Sequence, residues 1–465
     1  MKHVLTALLL LVTSFVSAQI VNIPDPAFKQ QLLNHSPAID TNFDGEIQVS
    51  EALAVTWLQI DDFLATDMTG IEAFKNLQTA GINSFTTTSL DLTGLSHLTD
   101  LTMNISVLTS INLTGCIAIE NLKITGSPTL TTLDIHSCIN LKKLELFDMQ
   151  IPAIDLDHCP LLETLNLKRN QILASIDVSH CPKLKIFICE DTQLIPSIDL
   201  SNCPILESVG CINNGFLSEF IIGPTDSLIG LSCYGNPHLV GNLDLTHYKN
   251  LKSFTALNLY FSSVNFSGLN KLVSLICDGP NLFAINLGGC SSLKLIQLNS
   301  PILTYANLTG CSGLLELYAH GMIKTLDLST CINLQTLYVF SNDSLQNLNI
   351  KNGSMLNDFH FVFPNPINIC ADNFEIDTLQ HFLSNSRWMP VRSVSRCRAT
   401  RWTHRRPQVR VRSRKNAAAR AWAIAPSGGT HAAAARISAA RHCGAGRPSW
   451  PAGRARSPPP MQERL

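Results

Sequence analysis

Six carboxylate and amide residues fall within one twelve-residue segment near the start of the chain: Asp40, Asn42, Asp44, Glu46, Gln48 and Glu51. They sit at positions 1, 3, 5, 7, 9 and 12, with Gly45 at position 6. A hard divalent cation takes roughly six to eight oxygen ligands, and this spacing wraps a single loop around Ca²⁺. The cage would use the side chains of Asp40, Asn42 and Asp44, the backbone carbonyl of Glu46, Gln48 directly or through water, and bidentate Glu51. The competing reading is an inert acidic turn; agreement at every position favours the metal, and the expected role of the Ca²⁺ is structural. Asp25 and Pro26 are suited to start a helix before the loop, and "ALAVTWL" after Glu51 is expected to continue as a helix.

The other chemistry-bearing residues point away from catalysis. Eight of the fifteen cysteines (Cys116, Cys138, Cys159, Cys181, Cys203, Cys290, Cys311 and Cys331) occupy one repeating slot that other units fill with Leu, Thr, Tyr or Gly. Cys189, Cys211, Cys233 and Cys277 occupy a second slot, eight residues further on, otherwise filled mainly by Leu, Ile, Val and Ala. A slot that exchanges Cys with aliphatic residues is apolar, so buried, reduced thiols are expected, with a few disulfides as the alternative. His136, His158 and His180 recur just before Cys138, Cys159 and Cys181, and are read as one convex slot of solvated turn residues rather than a metal row. No GxSxG, HExxH, phosphate-binding loop or dinucleotide glycine string occurs. The paired carboxylates Asp61-Asp62, outside the acidic loop, lie in no predicted cleft. A non-catalytic protein is the reading these residues support.

What must position these groups is a repeat. A marker residue recurs at Leu95, Cys116, Cys138, Cys159, Cys181, Cys203, Thr225, Tyr248, Leu269, Cys290, Cys311, Cys331 and Gly353, at intervals of 20 to 23 residues. So regular a period means stacked coils, none of which can bury its apolar edge alone. The second half of each unit reads LxxLxLxxNxL, as in Leu162, Leu165, Leu167, Asn170 and Ile172. Alternation within LxL is a strand signal, with leucines inward and their neighbours in solvent. The "LDLSxC" half is a second short extended segment, so strands are expected on both long faces with little helix in the coils.

This pattern resembles the leucine-rich repeat over roughly residues 67–370. The resemblance implies a mainly β repeat solenoid: a leucine-rich-repeat array with a parallel sheet on its concave, ligand-binding face and a small helical N-terminal cap. The family's asparagine slot holds Asn170, Asn214, Asn236 and Asn342, but Ser106, Ser127, Met149, Thr192 or Pro301 elsewhere, which predicts a broken internal ladder. The acidic loop resembles a lone EF-hand. Together with "IPDPAFKQQLL", "MTGIEAFKNLQ" and the repeats, it is similar to secreted leucine-rich-repeat proteins of Bacteroidetes-type bacteria. That family commonly carries a sorting domain for type IX secretion and surface attachment, which is not visible in this sequence.

The outward strand positions map the candidate binding face. Toward the C-terminus they offer Gln297, Asn299, Tyr318, His320, Tyr338, Phe340 and His360. Exposed aromatics beside amides suit a protein or glycan surface, although cross-strand pairing that only stabilises the sheet is the alternative.

The ends differ from the array. Residues 1–18 read as a secretory signal peptide: a basic start at Lys2, an apolar run, then Ser17 and Ala18. Residues 19–66 form the expected helical cap and 371–386 a truncated C-terminal cap. From Arg387 onward there are seventeen Arg and one Lys against Glu463 alone, which leaves a net of −18 for residues 1–386. That stretch, 387–465, lacks periodicity and is read as a disordered, frameshift-derived tail; a genuine basic arm would instead bind nucleic acid or anionic glycolipid. The whole describes a monomeric, secreted or cell-surface adhesion or binding protein without a membrane span. Two alternatives stand beside it: the targeting module of an enzyme whose catalytic domain lies beyond residue 386, and a passive scaffold.

Overall fold

The computed structural model describes residues 19–61, 64–84, 86–258, 260–361, 365–385, 391–395 and 435–438. The expected signal peptide lies outside them. Each coil places one strand in a fifteen-stranded sheet that runs from Trp57–Asp61 to Asp358–Phe361. Neighbouring strands are parallel and aligned by the repeat: Leu165 lies beside Leu144 on one side and Phe187 on the other. The alternation predicted from LxL holds, since Leu144 and Leu146 are buried while Lys143, Glu145 and Phe147 are not. The opposite face carries short interrupted sheets, among them Ser197–Leu200 with Glu219–Ile222 and Gly241–Asp244 through Tyr305–Asn307. Between the faces runs one continuous core from Val21 to Leu379. Each coil is closed by its neighbours, which is what makes the array hold together.

All thirteen described cysteines are free thiols and buried. Several donate to a carbonyl of the preceding coil, as Cys116 Sγ to Leu92 O (3.1 Å) and Cys290 Sγ to Phe266 O (3.2 Å). Burial pushes the Cys116 thiol up to about 11 and that of Cys138 to about 12, so neither supplies a thiolate at neutral pH. They fill space and bridge coils by weak hydrogen bonds.

The asparagine slot works as a cross-coil clasp. Asn214 Nδ2 donates to Cys189 O (3.0 Å), while its Oδ1 accepts from Thr192 N (3.0 Å) and Thr192 Oγ1 (2.6 Å). Where Asn is missing, Ser127 Oγ reaches Ile105 O instead (2.8 Å). One detail of the sequence pattern is corrected here. The residue that returns to the core lies three, not two, after the asparagine: Leu173, Leu217, Leu239 and Leu345 are buried, whereas Ile172 is 37% exposed. The cause is the turn leaving the strand. Asp148, Arg169, Asp191, Asn213 and Ser341 have φ between 50° and 57°, and a bond such as Leu173 N to Asn170 O (3.1 Å) closes the turn after it.

Helices cover both ends. The first, α1 (Pro26–Leu33), starts at Asp25, whose Oδ1 accepts from Ala27 N and Phe28 N. Its Oδ2 accepts from Thr66 N, Thr66 Oγ1 and Asp67 N, tying the cap to the first coil. The second, α2 (Val49–Ala54), is shorter than expected: the chain becomes extended at Val55, and Trp57–Asp61 is the first strand of the long sheet. Pairing with Thr79–Ser84 outweighs the helical reading of "ALAVTWL". At the other end α3 (Asn373–Asn385) buries Leu379 against the last coils.

Of the expected disordered tail, the described residues are strands. Val391–Ser395 extends the sheet of Ile367–Cys370, and Ala435–Ser438 pairs antiparallel with Glu219–Ile222. Open sheet edges accept any extended backbone, which explains pairing by segments without apolar periodicity. The rest of 387–465 lies outside the described residues. Among the described residues no helix is long and apolar enough to cross a membrane.

Candidate functional site

The acidic loop folds on hydrogen bonds from its own main chain to its side chains. Asp40 accepts through Oδ1 from Phe43 N (2.7 Å) and through Oδ2 from Gly45 N (3.0 Å), and Gly45 has φ 80°, a conformation glycine adopts without strain. Asn42 Oδ1 accepts from Asp44 N and Asp44 Oδ1 from Glu46 N, both at 2.9 Å, so the side chains fold inward along the loop. Asn42 Nδ2 (3.0 Å) and Gln48 Nε2 (2.8 Å) both donate to Asp44 Oδ2. Asn42 Nδ2 also donates to Gln48 Oε1 (3.3 Å), so the side chains of three expected ligands lie together. Glu46 directs its side chain outward to Lys29 (2.6 Å), consistent with a ligand role for its main-chain carbonyl alone. Glu51 is held by Thr41 and by Gln48 N (3.0 Å) in a capping box at α2. Burial alone would raise its pKa, but these hydrogen bonds win and keep it below the usual carboxylate range. An antiparallel bridge from Ile20 to Gln48, with Val21 N donating to Ile47 O (2.8 Å), braces the loop from outside. The donor set fits a hard cation.

The outward face of the long sheet brings all seven predicted binding residues into two rows. Register aligns Gln297, Tyr318, Tyr338 and His360 in one row, and Asn299, His320 and Phe340 in the other. Tyr318 and Tyr338 stack with centroids 5.2 Å apart and planes 21° apart; Tyr338 and His360 follow at 6.0 Å and 26°. In the second row His320 stacks on Phe340 at 5.7 Å and 12°. Strand spacing of about 4.8 Å imposes this near-parallel geometry. Ring faces therefore pack on each other, and the edges and polar tips are what a ligand would meet. Those tips are oriented: Tyr338 Oη donates to Asp358 (2.7 Å), Tyr318 Oη to Glu316 (3.2 Å), and His320 Nδ1 lies 2.6 Å from Asn299 Oδ1. The Asp358 bond, and then burial, raise the Tyr338 pKa; burial and then Glu316 raise that of Tyr318. Both phenols stay neutral at physiological pH.

The N-terminal half of the same face is different. Lys143–Glu145 (3.1 Å) and Lys168–Glu190 (2.9 Å) pair along and across strands, Lys185–Glu163 (2.7 Å) pairs just before the strands begin, and Lys123 lies 5.5 Å from the Phe147 ring. At the strand exit Arg169 grips Asp148 through two bonds, 2.5 and 2.6 Å.

Two features escaped sequence reasoning. Ile172, Leu194 and Phe216 form an exposed strip on the turn edge, with His238 stacked on Phe216 at 6.2 Å; the shifted return residue hid it. The histidines before the cysteines do not share one slot. His136 stands two residues before Cys138, whereas His158 and His180 stand one before theirs. The offset lets His136 reach Asp155 on the next coil (3.2 Å), while His180 pairs with Asp157 (2.9 Å).

No family model matches the chain, and no curated protein does. Solved structures do match. One is the functional domain of InlJ from Listeria monocytogenes, which includes a cysteine ladder: 21% identity, a TM-score of 0.52, and 77% of each chain covered. Another is the leucine-rich-repeat protein LIC12759 of Leptospira interrogans, at 15% identity and a TM-score of 0.42, covering 75% of this chain and 97% of that one. The fold is a leucine-rich-repeat solenoid with few helices.

Proposed function

We propose that this protein is a secreted or cell-surface recognition module that binds a protein or glycan ligand through the C-terminal part of its long sheet, without catalysis. One observation carries the reading: two adjoining rows of stacked aromatic and amide side chains, Gln297–Tyr318–Tyr338–His360 and Asn299–His320–Phe340, on one outward face. Such rings offer large contact area at low entropic cost, and their oriented hydroxyl and imidazole tips add directional hydrogen bonds. Because the faces are engaged with each other, a ligand would run across the ring edges. The acidic loop has a supporting role in this reading: a bound Ca²⁺ would stiffen the cap over the first coil, which repeat arrays need at their open ends. Export rests on the signal-like residues 1–18.

The test is an array of glycans and cell-surface proteins probed with the intact chain and with the Tyr318→Ala/Tyr338→Ala variant. Ligands retained by the chain and lost by the variant support the reading. Ligands bound equally by both would sink it.

A further inference from the structure

On the face opposite the long sheet, two neighbouring coils bring together His136, Asp155 and His158. One ligand atom from each residue lies within 4.8 Å of the other two, and all three residues are exposed. His136 Nε2 is 3.2 Å from Asp155 Oδ2, and the two imidazole rings are 4.6 Å apart and tilted by 51°. A fourth residue orients this set: Asp134 Oδ1 lies 2.7 Å from His136 Nδ1 and also accepts from His136 N (3.0 Å). Asp134 accepts from Nδ1–H and so holds the ring with Nε2 directed at Asp155, where a metal ion would take the place of the proton that Nε2 shares with that carboxylate. Carboxylates placed this way behind a metal-ligating histidine hold its ring and raise its basicity.

We infer that His136, Asp155 and His158 form a surface site for a divalent transition metal such as Zn²⁺, with Asp134 as the positioning residue behind His136. Two imidazoles and one carboxylate suit zinc and its neighbours in the first transition row, and they do not suit Ca²⁺, which takes oxygen ligands. Three protein ligands leave a coordination position open to solvent, as in zinc sites that bind an exchangeable group. The array explains why the set exists at all. Asp134 and His136 come from one coil and Asp155 and His158 from the next, so the ion would clip adjacent coils at a turn. His180 marks the boundary of the site: it comes from the following coil, pairs with Asp157 (2.9 Å) and is not among the clustered ligands. This site is separate from the acidic loop in both place and donor chemistry.

The experiment titrates Zn²⁺ calorimetrically into the intact chain, free of any added histidine tag and in excess Ca²⁺, with Co²⁺ absorption as a second probe. The account expects one Zn²⁺ per chain, a cobalt spectrum without a thiolate charge-transfer band, and a rise in melting temperature with Zn²⁺. His158→Ala and Asp155→Asn should each weaken binding by at least about tenfold, as should Asp134→Asn, whereas His180→Ala should leave it unchanged. All four positions are exposed turn residues, so these variants fold. Zn²⁺ affinity unaltered in His158→Ala, a thiolate band, or no binding by the wild-type chain would each overturn the site.

Discussion

Two halves of one sheet share a backbone register and meet solvent in opposite ways. Over Lys143–Phe147, Thr164–Lys168 and Ile186–Glu190 the outward positions hold ion pairs that satisfy one another, such as Lys168 with Glu190. Over Glu316–His320, Thr336–Phe340 and Asp358–Phe361 they hold stacked rings. The backbone demands neither, because inward leucines alone fix the strands. Exposed ion pairs contribute only about 0–1 kcal/mol each and keep a surface hydrated. Aromatic rows contribute about 0.5–1.5 kcal/mol per pair and leave apolar edges in water, which a ligand can cover. On the proposed function, the second half is where a ligand has apolar surface to cover.

The largest effect expected is on binding. For a ligand found on the array, Tyr318→Ala/Tyr338→Ala should weaken affinity by about 2–4 kcal/mol in a titration, as hot-spot aromatics do. Lys168→Ala/Glu190→Ala should cost less than about 0.5 kcal/mol in the same assay, since rim charges contribute little.

Next in size is Asn214→Ala, in the core between the halves. It strands the Cys189 carbonyl and the Thr192 amide, and should cost about 1–3 kcal/mol in denaturant unfolding while leaving ligand affinity unchanged. A change in affinity there would mean that the halves communicate.

Smaller still is the response to salt. Raising ionic strength to about 1 M should cost the charged half less than about 1 kcal/mol per pair and leave the aromatic half untouched, read as hydrogen exchange resolved by strand.

The halves should also respond to opposite ends of the pH scale. The Arg169 bond holds Asp148 below the usual carboxylate range, and the Lys185 bond does the same for Glu163. Their contribution is present above the ordinary carboxylate pKa and fades as pH falls through the lowered one. Tyr318 and Tyr338 are raised, so theirs is present below the ordinary phenol pKa and fades as pH rises through the raised one. Acid should loosen amide protection in the first half, and alkali in the second.

Much of this was legible in the sequence because a solenoid repeats its own evidence. Thirteen markers in one register place the strands, assign the cysteines to the core and put Tyr318, Tyr338 and His360 in a row from spacing alone. What stayed hidden depends on single turns. The left-handed residue at Arg169 moved the returning leucine from Ile172 to Leu173. The strand at Trp57 depends on its partner Thr79–Ser84, which no local pattern announces. The approach of His136 to Asp155 is diagonal between coils, so a one-residue offset from the marker decides it. Asp25 looked like a helix cap alone; its bonds to Thr66 and Asp67 needed the folded chain.

Strand-resolved hydrogen exchange of the intact chain, with and without an array-selected ligand, addresses the recognition surface most directly. The account predicts slower exchange on binding in Glu316–His320 and Thr336–Phe340, with Lys143–Phe147 and Thr164–Lys168 unchanged. Protection confined to the ion-paired strands would contradict it.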